Sequence, residues 1–171
     1  ALSAIKGCGR GAAEAIVNER LENGTYSDIY NFCERVDVSR CSRSSVESLI
    51  KAGAMDSLKA RRSQLSAVLD RALQSGAAAI SDRNSGQKSL FGSAEDNGES
   101  ESAVDLPDVA EWEERARLAA EKEVLGFYLS SHPLSEFQAQ LSRYTSHTTA
   151  DLGTAGNRDR ITMGGMISAI K

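Results

Sequence analysis

No apolar run approaches the roughly 18–20 residues that a membrane span requires, and no signal peptide is visible. Cysteine is sparse: Cys8, Cys33 and Cys41 are odd in number and show no Cys-x-x-Cys spacing. A disulfide framework and a structural zinc site are both disfavoured, and the three read as reduced thiols. Histidine occurs twice, at His132 and His147. His132 precedes Pro133 and reads as a turn or helix-entry residue. No nucleophile elbow accompanies either histidine. No Asp-x-Asp pair occurs, so the carboxylates that hold two metal ions in phosphoryl chemistry are missing. The acidic residues between 95 and 123 read as solvated. An excess of positive charge is also lacking, since the formal net charge is −4 over 171 residues.

The charge is unevenly spread. Residues 1–76 carry 11 Lys/Arg against 9 Asp/Glu, a net of +2, and residues 92–125 carry 3 against 11, a net of −8. A surface for a polyanion therefore belongs in the first half. With 40% hydrophobic residues the chain can build one or two small domains. It opens Ala-Leu-Ser and ends at Lys171 within an apparent strand, so both ends are expected to be cuts in a longer polypeptide.

The pattern predicts a mostly α chain. Residues 1–58 read as short helices punctuated by Gly, Ser and Asn. Asn23-Gly24 ends one helix, Ser27 can cap the next, and Ser44 or Ser45 can open another that stops at Gly53. Residues 59–74 form an amphipathic helix with Leu65, Val68, Leu69, Ala72 and Leu73 on one side. The expected divisions are a helical domain at 1–75, a flexible linker at 76–107 and a helical pair at 108–144. A further linker and a strand follow at 145–171. Trp112, Phe127 and Tyr128 have helical spacing and are expected in the core.

Two motifs carry chemistry. The run Ile5-Lys6-Gly7-Cys8-Gly9-Arg10-Gly11-Ala12-Ala13-Glu14-Ala15-Ile16 predicts two helices meeting at a Gly-x-Gly turn. Glycine leaves no side chain between backbone and ligand. The first amides of the second helix lack intrahelical partners, and the helix dipole adds partial positive charge. A phosphate oxygen suits them, and Lys6 and Arg10 add charge-assisted contacts. The pattern resembles the helix-hairpin-helix motif of DNA polymerases, ligases and repair proteins. An ordinary αα-hairpin is the plainer alternative. A second helical pair over Arg40–Asp56 lacks the Gly-x-Gly turn but is flanked by Arg40 and Arg43. It can touch DNA or simply complete a four-helix unit.

The second motif is Gln87-Lys88-Ser89-Leu90-Phe91. Adjacent Leu and Phe inside a polar segment suggest a docking peptide. It is similar to the Gln-x-x-Leu-Phe clamp-binding motif of bacterial replication proteins. In that mode Gln87 bonds at a pocket rim while Leu90 and Phe91 fill the pocket.

Three longer runs join these: Ala1 to Tyr30, Ser48-Leu49-Ile50-Lys51-Ala52-Gly53-Ala54-Met55-Asp56-Ser57-Leu58, and Glu121-Lys122-Glu123-Val124-Leu125-Gly126-Phe127-Tyr128-Leu129-Ser130-Ser131-His132-Pro133-Leu134. Together, in this order, they resemble the alpha subunits of bacterial DNA polymerase III. The resemblance implies a tandem helix-hairpin-helix domain, a clamp-binding linker, a helical pair and the truncated first strand of an OB-fold. A complete OB-fold needs about five strands, so single-strand binding is not expected of this piece. Implied DNA contacts are Lys6, Gly7, Gly9, Arg10, Gly11, Arg40 and Arg43, and implied clamp contacts are Gln87, Leu90 and Phe91. Implied partners are double-stranded DNA, the sliding clamp and other holoenzyme subunits in the bacterial cytoplasm, with no membrane. The segment itself is expected to be non-catalytic and to hold no metal or cofactor, with Mg²⁺ belonging to the parent polymerase. A replisome scaffold without direct DNA contact is the competing expectation.

Overall fold

A computed structural model describes residues 2–37, 39–85, 106–167 and 170, with the side chains of residues 84–85 excepted. Gln87, Leu90 and Phe91 therefore lie outside the described residues. The chain divides into two units, Ala1–Phe127 and Tyr128–Lys171. All regular structure among the described residues is helical.

The first unit opens with a 3-10 turn at Leu2–Ala4, followed by α1 (Arg10–Asn23), α2 (Ile29–Arg35), α3 (Arg43–Lys51), a 3-10 turn at Asp56–Leu58, α4 (Arg62–Ser85) and α5 (Glu114–Leu125). Helix α1 ends at Gly24, whose φ of 80° needs no Cβ. Arg35 closes that end, donating to the carbonyls of Glu19, Gly24 and Thr25 and pairing with the Glu19 carboxylate at 3.1 Å. Its guanidinium also lies 4.6 Å from the centre of the Tyr26 ring.

Two helix starts differ from expectation. Asp28, not Ser27, caps α2, accepting from the amides of Tyr30 at 2.8 Å and Asn31 at 2.9 Å. One carboxylate oxygen serves two orphan amides there, and the Ser27 hydroxyl donates to the same carboxylate. Ser42, not Ser44 or Ser45, caps α3. The Ser45 hydroxyl is committed elsewhere, to the Gly7 carbonyl at 2.9 Å.

Helix α4 is the largest departure. It begins at Arg62 rather than residue 59, because Lys59 takes left-handed φ of 54° after the 3-10 turn. It continues to Ser85, through ten residues of the expected linker. Their small side chains read as linker composition, yet Gly76 lies where α4 crosses α2. A Cβ there would overlap the Cys33 carbonyl oxygen. Arg83 donates to the Glu34 carbonyl at 2.7 Å and holds the later turns of α4 to the end of α2.

The core joins Ile29, Phe32 and Cys33 of α2 to Val46, Leu49 and Ile50 of α3 and Leu65, Val68, Leu69 and Ala72 of α4. The expected apolar side of α4 is thus the buried one, with Leu73 packed at its edge. Burial of each Leu, Ile or Phe side chain contributes roughly 1.5–3 kcal/mol. All three cysteines are free and buried. Desolvation pushes the Cys33 thiol up to about 12 and the Cys41 thiol to about 11, so both stay protonated and unreactive.

The expected helical pair at 108–144 is divided between the units. Residues 106–113 form an extended strap and no helix begins at Asp108. The strap lies along the start of α4. Gln64 donates to the Pro107 carbonyl at 3.0 Å, and Arg61 reaches Asp108 at 3.3 Å and the Val109 carbonyl at 2.9 Å. The Glu111 carboxylate accepts from the amides of Arg62 at 3.0 Å and Ser63 at 3.2 Å. Trp112 and Leu125 pack on the core and Val124 enters it. Phe127, expected in the core, is 57% exposed.

The second unit holds α6 (Gln138–Tyr144) and 3-10 turns at Ser135–Phe137 and Asp151–Thr154. The second helix of the expected pair starts only at Gln138, because a 3-10 turn precedes it. The strand expected over 161–170 does not form among the described residues. Its backbone hydrogen bonds among the described residues are those that Thr162 exchanges with Ser146 and His147, and a strand needs a continuous partner ladder. Tyr128 makes an edge contact with His132, ring centres 5.5 Å apart.

Two outcomes test this packing. Gly76→Ala should lower unfolding stability by about 1–3 kcal/mol in urea denaturation, because backbone must shift to admit the methyl. An unchanged midpoint would contradict the close α2–α4 crossing. The second concerns acid. Burial alone would raise the Glu111 carboxyl, but the amides of Trp112, Ser63 and Arg62 together hold it below the ordinary carboxylate range. A group depressed in this way contributes stability that is complete above its unfolded value and lost as pH falls through its folded value. Acid should therefore loosen the strap, and Trp112, the sole tryptophan, reports it by fluorescence. Glu111→Gln should remove that acid transition, whereas identical titrations of both proteins would show that Glu111 does not hold the strap.

Candidate nucleic-acid interface

The hairpin turn runs from Ile5 to Gly9 between the first 3-10 turn and α1. Its first arm is a single 3-10 turn rather than the expected helix. Amides within it are satisfied locally, Ile5 to Leu2 O and Cys8 to Ile5 O, both at 3.0 Å. Two distant elements fix its course. The Ser45 hydroxyl of α3 donates to the Gly7 carbonyl, and the Lys6 amide donates to the Val124 carbonyl of α5 at 2.8 Å.

The three glycines differ in kind. Gly7 has φ of 90°, and a Cβ there would stand 2.6 Å from the Ser48 hydroxyl oxygen. Its lack of a side chain is explained by the fold. Gly9 has φ of −63° and ψ of 157°, a conformation any residue adopts. Nothing lies within 4 Å of a Cβ built at Gly9 or Gly11. Neither conformation nor internal packing accounts for these two.

Gly9 is the N-cap of α1 and offers no side-chain cap. The first intrahelical bond runs from the Ala13 amide to the Gly9 carbonyl at 3.0 Å. The amides of Arg10, Gly11 and Ala12 are thus left to an outside acceptor, at the positive end of a 14-residue helix. Lys6, Arg10, Gly9 and Gly11 are all exposed. Arg10 pairs with Glu14 at 2.7 Å, with side chains 88% and 58% exposed. Such a solvated pair contributes little, so the guanidinium can change partners at small cost.

Ser45 brings the first turn of α3 against the hairpin turn. Of the two arginines expected there, Arg40 is exposed. Arg43 is committed to Asp70 at 2.6 Å and Glu47 at 2.9 Å. The bond to Asp70 raises its pKa, and the partnership binds α3 to α4. Arg43 is therefore the least available of the seven candidate contacts.

A buried ion network escaped the sequence reading. Arg62 contacts Asp56 at 2.8 Å, the Lys51 carbonyl at 3.3 Å and Glu121 at 2.9 Å. The Arg62 and Glu121 side chains are 6% and 0% exposed. Hydrogen bonding to Asp56 first, and to Glu121 after it, raises the Arg62 pKa despite burial. The only signal was the pair Arg61-Arg62 ahead of an amphipathic helix, with acidic residues far along the chain. Among the described residues no group of His, Cys, Asp and Glu is placed to hold a metal. None of their helices is long and apolar enough to cross a membrane.

Residues 1–65 match the model of the helix-hairpin-helix motif. Over nearly its whole length the chain is similar to DNA polymerase III subunit alpha. The relative from Vibrio cholerae is 34% identical over 170 residues, 99% of this chain and 15% of the relative. That from Haemophilus influenzae is 37% identical, over 98% of this chain and 14% of the relative. That from Xylella fastidiosa is 38% identical, over 90% of this chain and 13% of the relative. The chain thus spans a small part of each of these proteins. Over nearly all of its length it matches a fragment of DNA polymerase III subunit alpha.

Proposed function

We propose that this segment grips duplex DNA through phosphate contacts, without reading sequence, and tethers its polymerase to the sliding clamp. The observation that carries the first half is the pair Gly9 and Gly11, which the fold itself leaves unexplained. Close approach of a ligand to the backbone explains it. A phosphate would accept from the amides of Arg10, Gly11 and Ala12, with Lys6 and Arg10 beside it. Contacts of this kind position the backbone and carry no base information. Arg40 can extend the contact along the strand, and Gly7 shapes the turn.

The clamp half of the proposal rests on sequence, on Gln87, Leu90 and Phe91. Helix α4 and the strap, which flank the motif in sequence, both belong to the first unit, so the motif falls between two anchors on one unit. Tethering beside a DNA grip would raise the effective concentration of a peptide that binds weakly alone. Nucleotidyl transfer, with its Mg²⁺, is assigned to other parts of the polymerase, because the sequence carries no Asp-x-Asp pair.

Gly9→Val tests the grip. The backbone at Gly9 tolerates valine and no internal atom opposes it, so the unfolding free energy should change by less than about 1 kcal/mol. Duplex affinity should fall on the order of tenfold or more through lost charge-assisted bonds. The unmodified chain should lose affinity steeply with salt, by about 0.9 in log-log slope for each phosphate engaged. Undiminished binding by folded Gly9→Val would overturn the assignment.

For the clamp, calorimetry of the Leu90→Ala/Phe91→Ala double variant should show loss of most binding, on the order of several kcal/mol. Lys88 and Ser89 should tolerate substitution. Equal binding by the unmodified and doubly substituted chains would make the motif accidental.

A further inference from the structure

We infer that α5 is a positioning part of the DNA-binding hairpin, holding the phosphate-binding turn from behind although it lies outside the matched motif of residues 1–65. The inference rests on the reading of that turn as a phosphate site. Lys6 is the first candidate contact in the turn, and its amide is bonded to the Val124 carbonyl at 2.8 Å, in the last turn of α5. Val124 is buried in the same core cluster as Ile5 and Cys8, so the bond sits at the edge of that core. The course of the turn at Lys6 and Gly7 is therefore defined by α5 on one side and by Ser45 on the other.

Helix α5 is in turn fixed by charge. One turn before Val124, Glu121 meets Arg62, and Arg62 is braced by Asp56 and the Lys51 carbonyl. On the surface Lys51 pairs with Glu123 at 3.1 Å. A shift of α5 would break these bonds together and release the Lys6 amide. The hairpin presented to DNA is thus built from residues 2–12 in front and from Ser45, Glu121 and Val124 behind.

The experiment uses the whole 171-residue chain, with duplex affinity at fixed salt and amide hydrogen exchange at Lys6 as paired readouts. Glu121→Ala should speed exchange at Lys6 more than at Ile16 in the middle of α1. It should also weaken duplex binding on the order of tenfold. Glu121→Gln, which keeps an acceptor for Arg62, should restore most of both. Folded Glu121→Ala with unchanged Lys6 exchange and unchanged affinity would overturn the inference. Should that variant not fold, the unmodified chain decides. There the Lys6 amide should open together with the Gly126 amide at the end of α5. Exchange at the rate of an unprotected turn amide would overturn the inference. Faster Lys6 exchange with no effect on affinity would overturn the functional role of α5. If Gly9→Val also binds normally, the phosphate reading fails with it, and the hold of α5 on the turn stands as structure alone.

Discussion

Arg62 carries a charge withdrawn from water, and a buried ion left without partners costs several kcal/mol. Its neighbours are arranged around that requirement. Asp56 comes from the 3-10 turn before α4, the Lys51 carbonyl from the end of α3, and Glu121 from α5. Gly53, with φ of 74°, leaves the space the guanidinium fills, since a Cβ there would overlap its terminal nitrogen. One side chain thus binds the ends of α3, α4 and α5 into a single arrangement. Residues 106–127 thereby become part of the same unit as α4.

The glycines separate into those the fold requires and those it does not. Gly53 accommodates Arg62, Gly76 lets α4 approach α2, and Gly7 turns the backbone over Ser48. Gly9 and Gly11 serve no comparable internal purpose. They stand where a helix dipole, three orphan amides and two exposed cations converge. A site of that chemistry suits phosphate, as the proposed sequence-independent grip on DNA requires.

Much of the first unit was legible in the sequence because its periodicity is local. Leu65, Val68, Leu69 and Ala72 mark the buried side of α4, and Asn23-Gly24 marks the end of α1. The turn between residues 5 and 9 was legible as well, since glycine punctuates the chain just before the periodic pattern of α1. What escaped was set by partners far along the chain. Ser45 has the composition of a cap, yet its hydroxyl bonds to the Gly7 carbonyl, 38 residues away. Residues 76–85 have linker composition yet are helical, with Gly76 packed against the Cys33 backbone and Arg83 bonded to the Glu34 carbonyl of α2. Helical spacing placed Phe127 in the core, yet α5 ends at Leu125 and leaves it exposed. The Arg62–Glu121 pair joins residues 59 positions apart, and no local pattern announces it.

The most direct measurement of the DNA grip is a titration of isotope-labelled chain with a short duplex, following backbone amide resonances. The amides of Arg10, Gly11 and Ala12 should shift first and furthest, whatever the duplex sequence, and should return as salt is raised. Shifts confined to other parts of the chain, with these three amides unmoved, would contradict a phosphate grip at the start of α1.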